Sequence, residues 1–566
     1  MKRLTVKERG FSLKKGEGAF FSSYVVEGIG LTFTDFVDSK EICSFMVGWE
    51  VTTQSQTFTG NDIYDLLDLL KKFIKDYNLT QYSNTKKDIL VIYTNELKKL
   101  YCYLYNYVSN AFIVDRTNED KGYFQVMDFI EFRQCLNKKA NTSKEIADFG
   151  ENLFNIIFSK YKIAPFTESG VSRKIIKQNC SKAKCTLGKD IFPEEYDLYR
   201  LYKGSAHGGI CFSVANYHDF KYNMLAVDLK SAYSYCYTLP LPVTAGEEGD
   251  TKKWNEYDNF IGEFTITYKN KARQLSVIRD VDDKKFDITG EKVTQTFRLN
   301  NIYLNVILRY IKVYKIECNE IYTFEVDTIP KPYLDTIINF FIKKETTPEG
   351  EKGVWKIGLN GISGNTIRNL TFDMFKNYSD KELPPQWGSF LMAYCFRIIV
   401  EMGEQVDGWV YSDTDSIYCL DTPKSVQAIK EYNKKAQAHN KWLCEEYGYN
   451  FEVLKYLGNF IIEKKIIRFR AIANKQYAYK CENGAIVVKA AGCVKQPYYS
   501  DEVFESSEMP IGNKVIGFEF INEPHTIIKY GKKYYSETSY FEVTTTSHKM
   551  ERAYVALKSF EDELNS

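Results

Sequence analysis

Two aspartates separated by one residue stand where an apolar run breaks and resumes. Trp409, Val410 and Tyr411 lead to Asp413-Thr414-Asp415, and Ile417 to Leu420 restore the apolar run. Strand-like segments joined this tightly predict a hairpin with the acids at its tip. Residues i and i+2 of a strand share a face, so both carboxylates are expected to meet one cation. A tight turn also selects Asp for local hydrogen bonding, and the triplet alone leaves both readings open. Asp228 adds a third acid after the apolar run Met224-Leu-Ala-Val227. A carboxylate at the end of a buried strand, facing that tip, suits a pair of Mg²⁺ ions. Mg²⁺ needs only one or two carboxylates and completes its octahedron with phosphate oxygens and water. Two such ions about 3.5–4 Å apart activate an attacking hydroxyl and stabilise a departing pyrophosphate. The competing reading of Asp228 is a helix N-cap.

Between these acids lies KKETTPEGEKGVWKIGLNGISGN. Lys356 and Asn360 are i and i+4, on one face of a predicted helix. Gly358, Gly361 and Gly364 are costly there, at roughly 1 kcal/mol each against Ala, and point to close backbone approach by a base or sugar-phosphate. Lys344 and Lys356 are candidate clamps for triphosphate oxygens, or members of a solvated helix face. Near the C-terminal third, Lys475 and Tyr477 sit at i and i+2 on a β-like stretch. They are expected to share a face that supports a primer phosphate and base pair, against a plain strand edge.

The elements that must position these residues run in blocks. The first 165 residues mix β-like runs with amphipathic stretches such as DIYDLLDLLKKFIKDY, the alternation of an α/β domain. A basic connector (SRKIIKQNCSKAKC) and the Gly-marked AHGGICF follow. Residues 241–330 are β-rich and end in a helical pattern, NNIYLNVILRYIKVY. A helix-rich block spans 333–404, and the final ~90 residues return to strands. With 75 Lys+Arg against 74 Asp+Glu, the net charge of +1 excludes binding of nucleic acid by bulk charge, though not a local basic groove. The 44% hydrophobic content excludes intrinsic disorder. The 13 cysteines lack zinc spacing. No apolar run reaches the length of a membrane span, and Met1–Gly18 is polar and basic, so the expectation is a cytoplasmic protein, in a bacterial host if phage-encoded.

Taken in order, the motifs resemble family B DNA polymerases, specifically the protein-primed subgroup of the Bacillus-phage type. Asp228-Leu-Lys-Ser231-Ala-Tyr233 resembles motif A, Lys356-(x3)-Asn360-(x3)-Gly364 motif B, and Tyr411-Ser-Asp413-Thr-Asp415-Ser416 motif C. Lys475-Gln-Tyr477 matches the KxY motif, and Ala206-His-Gly208-Gly209 is similar to the YxGG linker motif without its Tyr. Lys344 to Gly350 resembles the lysine-bearing segment before motif B, and Val488 to Gly492 a thumb segment.

The resemblance implies an α/β multi-lobed right hand of palm, fingers and thumb, behind an N-terminal RNase H-like exonuclease-type domain. The implied boundaries are 1–165 for the exonuclease-like domain and 166–240 for the linker and first palm segment. An insertion like terminal-protein region 1 would cover 241–330, with fingers at 331–375, palm at 376–480 and thumb at 481–566. Asp228, Asp413 and Asp415 would hold two Mg²⁺ ions, replaceable by Mn²⁺. Tyr233, Ser231, Lys344, Lys356 and Asn360 would bind the dNTP. Lys475, Tyr477, Gly208, Gly209, Thr414 and Ser416 would contact primer and DNA. The implied partners are primer-template DNA, dNTPs and a terminal protein whose hydroxyl primes synthesis, with the polymerase itself a monomer.

Three departures stand out. Ser363 replaces the Tyr of motif B, and the second family insertion looks truncated within Asn365–Pro385. The exonuclease acids are eroded: Glu27 and Asp35 each lack a partner acid, Asn95 has lysines where an Asp should follow, and Asp148 has Lys144 in place of Tyr. An exonuclease fold without activity is therefore expected. The same palm in a non-replicative polymerase (gap-filling, lesion-tolerant or template-independent) is the alternative. A catalytically dead module that stacks bases on its aromatics is a third reading.

Overall fold

A computed structural model describes residues 24–37, 45–61, 63–79, 81–83, 86–87, 89–95, 114–115, 130–135, 137, 140–161, 168–215, 218–348, 352–376, 378, 381–490, 504, 513–529 and 532–547. At the N-terminal end, β1 (Tyr24–Val37), β2 (Phe45–Thr52), β3 (Thr57–Gly60), β4 (Ile89–Thr94) and β5 (Ile130–Gln134) form one mixed sheet. Its order is β3-β2-β1-β4-β5. The β1–β2 and β2–β3 pairs are antiparallel, while β1–β4 and β4–β5 are parallel. Helix α1 (Ile63–Asp76) forms where the sequence predicts it, burying Leu66, Leu70 and Phe73. Helix α2 (Ser143–Tyr161) opens on a capping box, in which Glu145 accepts from the Asn141 and Thr142 amides and Thr142 Oγ1 accepts from the Glu145 amide.

The basic segment expected as a connector is instead a helix, α3 (Glu168–Ala183). Ser172, Ile175, Ile176 and Cys180 give it a buried stripe at helical spacing, which the surrounding lysines obscure. It packs against α4 (Lys331–Thr346) and α5 (Lys352–Thr366), tied by the Asn179 amide donating to Thr336 Oγ1 at 2.9 Å.

The central sheet gathers strands from distant parts of the chain: β6 (Ile210–Ser213), β7 (Met224–Leu229), β8 (Tyr411–Thr414), β9 (Ser416–Leu420), β10 (Phe460–Ala473), β11 (Gln476–Cys481) and β12 (Ile486–Ala490). They run antiparallel in the order β12-β11-β10-β7-β9-β8-β6. Strand β12 carries Val488 and is the edge strand of the sheet. Beneath the sheet, helix α6 (Pro385–Gln405) is buried almost all round, as an element apolar on every face must be. The fully buried Trp387 donates from Nε1 to Pro242 O at 2.8 Å. Helix α7 (Pro423–Tyr447) follows the hairpin β8–β9.

The 241–330 block holds a four-stranded antiparallel sheet of Glu247–Glu248, Lys312–Thr323, Phe260–Lys269 and Val293–Asn300. The helical pattern read through Tyr314 stops early: the helix is Asn301–Tyr310, and Lys312 already starts a strand. The run Lys312-Val-Tyr-Lys-Ile316 pairs with Phe260–Lys269, and that tertiary pairing overrides the helical spacing. A buried polar relay joins this block to the rest. Ser205 Oγ lies 2.8 Å from Ser389 Oγ, which accepts from Asn300 Nδ2 at 2.9 Å, while Asn300 Oδ1 caps the helix by accepting from the Tyr303 amide. Between α5 and α6, a short helix (Phe372–Lys376) packs Phe375 on Phe192 and Tyr199, and that segment contains no strand among its described residues.

Candidate active site

Strand β7 is the hub, because it pairs with β9 on one side and β10 on the other. Asp228 stands opposite Ser416 and Ile461. The register with β10 shifts between Ala226 and Val227, leaving Glu463 as the extra residue of a bulge beside the acids. The hairpin β8–β9 has Asp413 opposite Ser416, with Thr414 and Asp415 as its two-residue tip. Thr414 has φ 66°, and the Asp415 amide donates to Asp413 O at 2.9 Å, closing a three-residue turn. A β-branched residue at positive φ is strained, and such strain persists only where its surroundings enforce it. The enforcing neighbour is Gly209: a Cβ there would sit 2.5 Å from Thr414 Cγ2 and 3.0 Å from its Cα. Leu229 N donates to Asp415 O at 2.8 Å and locks the tip onto β7.

The two acids of the tip have different surroundings. Asp413 is half-buried beside Lys475, Nζ to Oδ1 3.5 Å, and accepts from Thr414 Oγ1 at 3.3 Å. Asp415 feels the like charges of Asp413 and Glu463, and its own charge acts on Asp228. The expectation that Asp413 and Asp415 share one strand face is therefore corrected, because Asp415 belongs to the turn and strand alternation stops at Thr414. Burial, then the charges of Asp415 and Glu463, push the Asp228 carboxyl up to about 7, against the attraction of Lys356 and Lys344. Burial likewise raises Asp415 to about 6, opposed by its own amide and by Lys356. Neither carboxylate has a salt-bridge partner among the described residues. Two buried, mutually repelling carboxylates of this kind suit a hard cation. No group of three or more His, Cys, Asp or Glu side chains converges as a complete cage among the described residues, so phosphate or water oxygens would have to complete the shell.

Asp228 is no helix cap. The cap of the short helix Ala232–Cys236 is Ser231, in the left-handed region at φ 52°, with no side-chain cap bond. Its hydroxyl accepts instead from Lys344 Nζ at 2.7 Å. Burial, with Lys356 and Lys230 nearby, lowers the Lys344 pKa, and Glu345 opposes the shift. Tyr233 is half-buried on the core, and burial raises its phenol well above the usual value. On α5, Lys356, Asn360 and Gly364 are all exposed along one face, as their spacing predicts. Gly358 has a different cause from the one expected: a Cβ there would strike Phe340 at 2.4 Å, so this glycine serves the α4–α5 contact. Nothing lies within 4 Å of a Cβ at Gly364, which leaves that surface open to a ligand.

Lys475 and Tyr477 do not share a face. Lys475 is in the β10–β11 turn at φ 62°, its amide donating to Tyr411 OH at 2.9 Å. Tyr477 is 5% exposed in a cluster with Tyr411, Tyr418, Phe469 and Tyr479, and its hydroxyl accepts from Tyr418 OH at 3.0 Å. Its ring is spent on packing, and a stacking role on primer does not follow. Ser416 Oγ donates to Asp413 O at 3.1 Å. Gly208 is exposed, while Gly209 lies against the tip. The sequence reading missed Glu463, whose signal was only its place three residues into β10.

Of the expected exonuclease remnants, Asn95 and Asp148 have their side chains among the described residues. Glu27 is on β1 with its side chain outside the described residues. Asn95 follows β4 and donates from Nδ2 to Ala140 O. Asp148 lies on the exposed face of α2, ion-paired to Lys144 at 2.9 Å.

This arrangement of sheets and helices is a multi-sheet fold of mixed α/β content. Solved structures of Phi29 DNA polymerase share this fold, which bears out the resemblance read from the motifs. The complex with single-stranded DNA matches with a TM-score of 0.56 at 16% identity, covering 91% of this chain and 100% of that one. The binary complex with primer-template DNA gives 0.55 at 15% identity over 91% and 100%. The ternary complex with primer-template DNA and incoming nucleotide substrates gives 0.54 at 14% over 91% and 99%. No protein-family profile and no curated protein sequence matches the chain.

Proposed function

We propose that this chain is a DNA-directed DNA polymerase that adds dNTPs to a primer hydroxyl by two-metal nucleotidyl transfer. The observation that carries the reading is the placing of Asp228 on β7 beside the hairpin tip that carries Asp415, both carboxyls raised mainly by burial, with no salt-bridge partner among the described residues and lysines of α4 and α5 close by. In this reading the central sheet is the palm, α4 and α5 the fingers, and the segment beyond β12 the thumb. Asp228 and Asp415 would hold two Mg²⁺ ions, with Asp413 supporting the tip, and such ions would supply Lewis-acid activation of a primer hydroxyl and charge neutralisation for a departing pyrophosphate. Lys344 and Lys356 bind the triphosphate, Asn360 places the nascent pair, and Tyr233 lies under the incoming sugar. Lys475 takes a primer phosphate. The outward Asp148 and the backbone-bonded Asn95 support an N-terminal RNase H-like domain that lacks proofreading. A protein-primed start, with a terminal protein docked on the 241–330 block, completes the reading.

Primer extension on a defined template, with Mg²⁺ and dNTPs, tests it. Wild type is expected to extend the primer and Asp415→Ala to fail by several orders of magnitude. Incorporation that is absent, or indifferent to Asp415, refutes it. Extension that needs no template would instead select the non-replicative alternative.

A further inference from the structure

A lysine and a glutamate that lie within the motif segments, but to which no role was assigned, meet at the edge of this site. Lys230, two residues after Asp228, forms a 2.7 Å ion pair with Glu345 Oε2, and both side chains are largely buried at 25% and 19% exposure. The other carboxylate oxygen of Glu345, Oε1, lies 3.6 Å from Lys344 Nζ. Lys344 is at the same time bonded to Ser231. Lys230 is fixed from its other side by the Tyr456 ring, 5.5 Å from Nζ, and its backbone is held at both ends: its amide donates to Asn459 O and its carbonyl accepts from Gly458 N. One carboxylate therefore spans two lysines, one on the loop after β7 and one on α4. Lysines this close repel each other, and an anion between them removes that cost.

We propose that Glu345 is an internal anion that holds Lys344 in the nucleotide-free site, and that an incoming triphosphate must replace it there. The inference rests on the nucleotide-binding reading of Lys344 and deepens it. Lys230 is the anchor: by keeping the shorter contact, it restrains Glu345 from closing fully on Lys344. Glu345 and Lys230 are thus positioning residues, setting what fraction of the site is competent to bind. A charged ligand with fewer negative oxygens would displace Glu345 less well, so the pair favours triphosphates over monophosphates.

The test uses the full chain and inorganic tripolyphosphate, measured by calorimetry, alongside KM and kcat for dNTP in primer extension. Glu345→Gln keeps the shape and removes the charge. It is expected to tighten tripolyphosphate binding and lower KM by about tenfold, with kcat little changed. Lys230→Met is expected to weaken binding, because the released Glu345 closes on Lys344. The double variant Lys230→Met/Glu345→Gln should recover the affinity of Glu345→Gln, a reversal that mere structural damage would not produce. Unchanged or weaker binding in Glu345→Gln, or no recovery in the double variant, overturns the inference while wild-type extension leaves the polymerase reading intact. A wild type that neither binds tripolyphosphate nor extends primer overturns both.

Discussion

Asp228 gives a prediction whose sign and size both follow from its surroundings. Without a cation, its carboxyl rises from an ordinary 3.8 to about 7 because burial and the Asp415 charge disfavour ionisation. Each factor of ten in a proton equilibrium is about 1.4 kcal/mol, so forcing Asp228 to ionise in the folded state costs about 4 kcal/mol. Below pH 4 the group is protonated in both folded and unfolded chains and its contribution to stability is intact. As pH rises through 7 the unfolded chain has long since released its proton, and that contribution is lost. Asp228→Asn removes the titration. In EDTA at pH 8 it is therefore expected to be more stable than wild type by up to about 4 kcal/mol, with the advantage vanishing near pH 4. Urea unfolding of both proteins across this range measures it. Adding Mg²⁺ at pH 8 should stabilise wild type and leave Asp228→Asn nearly unmoved, since a cation binds the ionised form. An Asp228→Asn protein less stable than wild type at pH 8 in EDTA would refute the reasoning outright.

Other positions make equally specific claims. Gly209→Ala should cut extension about a hundredfold, because Thr414 must move and the catalytic tip with it, and Thr414→Gly in the same chain should restore part of the loss. Gly358→Ala should destabilise the protein by about 1–3 kcal/mol through the Phe340 ring, as urea unfolding would show. Gly364→Ala, with open space around it, should leave stability unchanged or raised by up to about 1 kcal/mol, so any loss of extension there reports ligand contact. Tyr477→Phe should cost about 1 kcal/mol for its bond with Tyr418, and KM for primer should hold constant, as expected of a packed ring. A mismatched primer incubated with Mg²⁺ and no dNTPs should remain undegraded; degradation abolished by changing Glu27 or Asp35 would restore a proofreading domain.

The strands and helices that carry the acids and lysines were legible because apolar periodicity is local. Met224–Leu229, the hairpin around Asp413 and the helix bearing Lys356 and Asn360 all form where their patterns place them. What failed was anything decided by a partner far along the chain. Lys475 and Tyr477 read as one strand face, and only the β10–β11 turn shows that the first lies outside the strand. Gly358 read as a ligand-facing glycine until Phe340, eighteen positions earlier, supplied the reason for it. The helix α3 was hidden because its lysines and arginine interleave with the buried positions that define it. The Lys230–Glu345 pair joins residues more than a hundred apart, and no spacing rule could have matched them.

The buried relay of Ser205, Ser389 and Asn300 has a bearing on how such genes change. These residues lie before, after and within the four-stranded block, and all three are fully inaccessible. Buried His207 adds a second tie, its ring bonded to Arg298 O at 2.9 Å. A recombination event that exchanged residues 247–323 alone would leave Ser389 and His207 facing strangers, with hydroxyls and a ring nitrogen stranded in the interior. Exchange of the block is therefore expected to require matching changes in its neighbours. Lineages should diversify the block by point substitution on its exposed strands, and shuffling it as a cassette should be selected against even where the flanking sequences permit crossover.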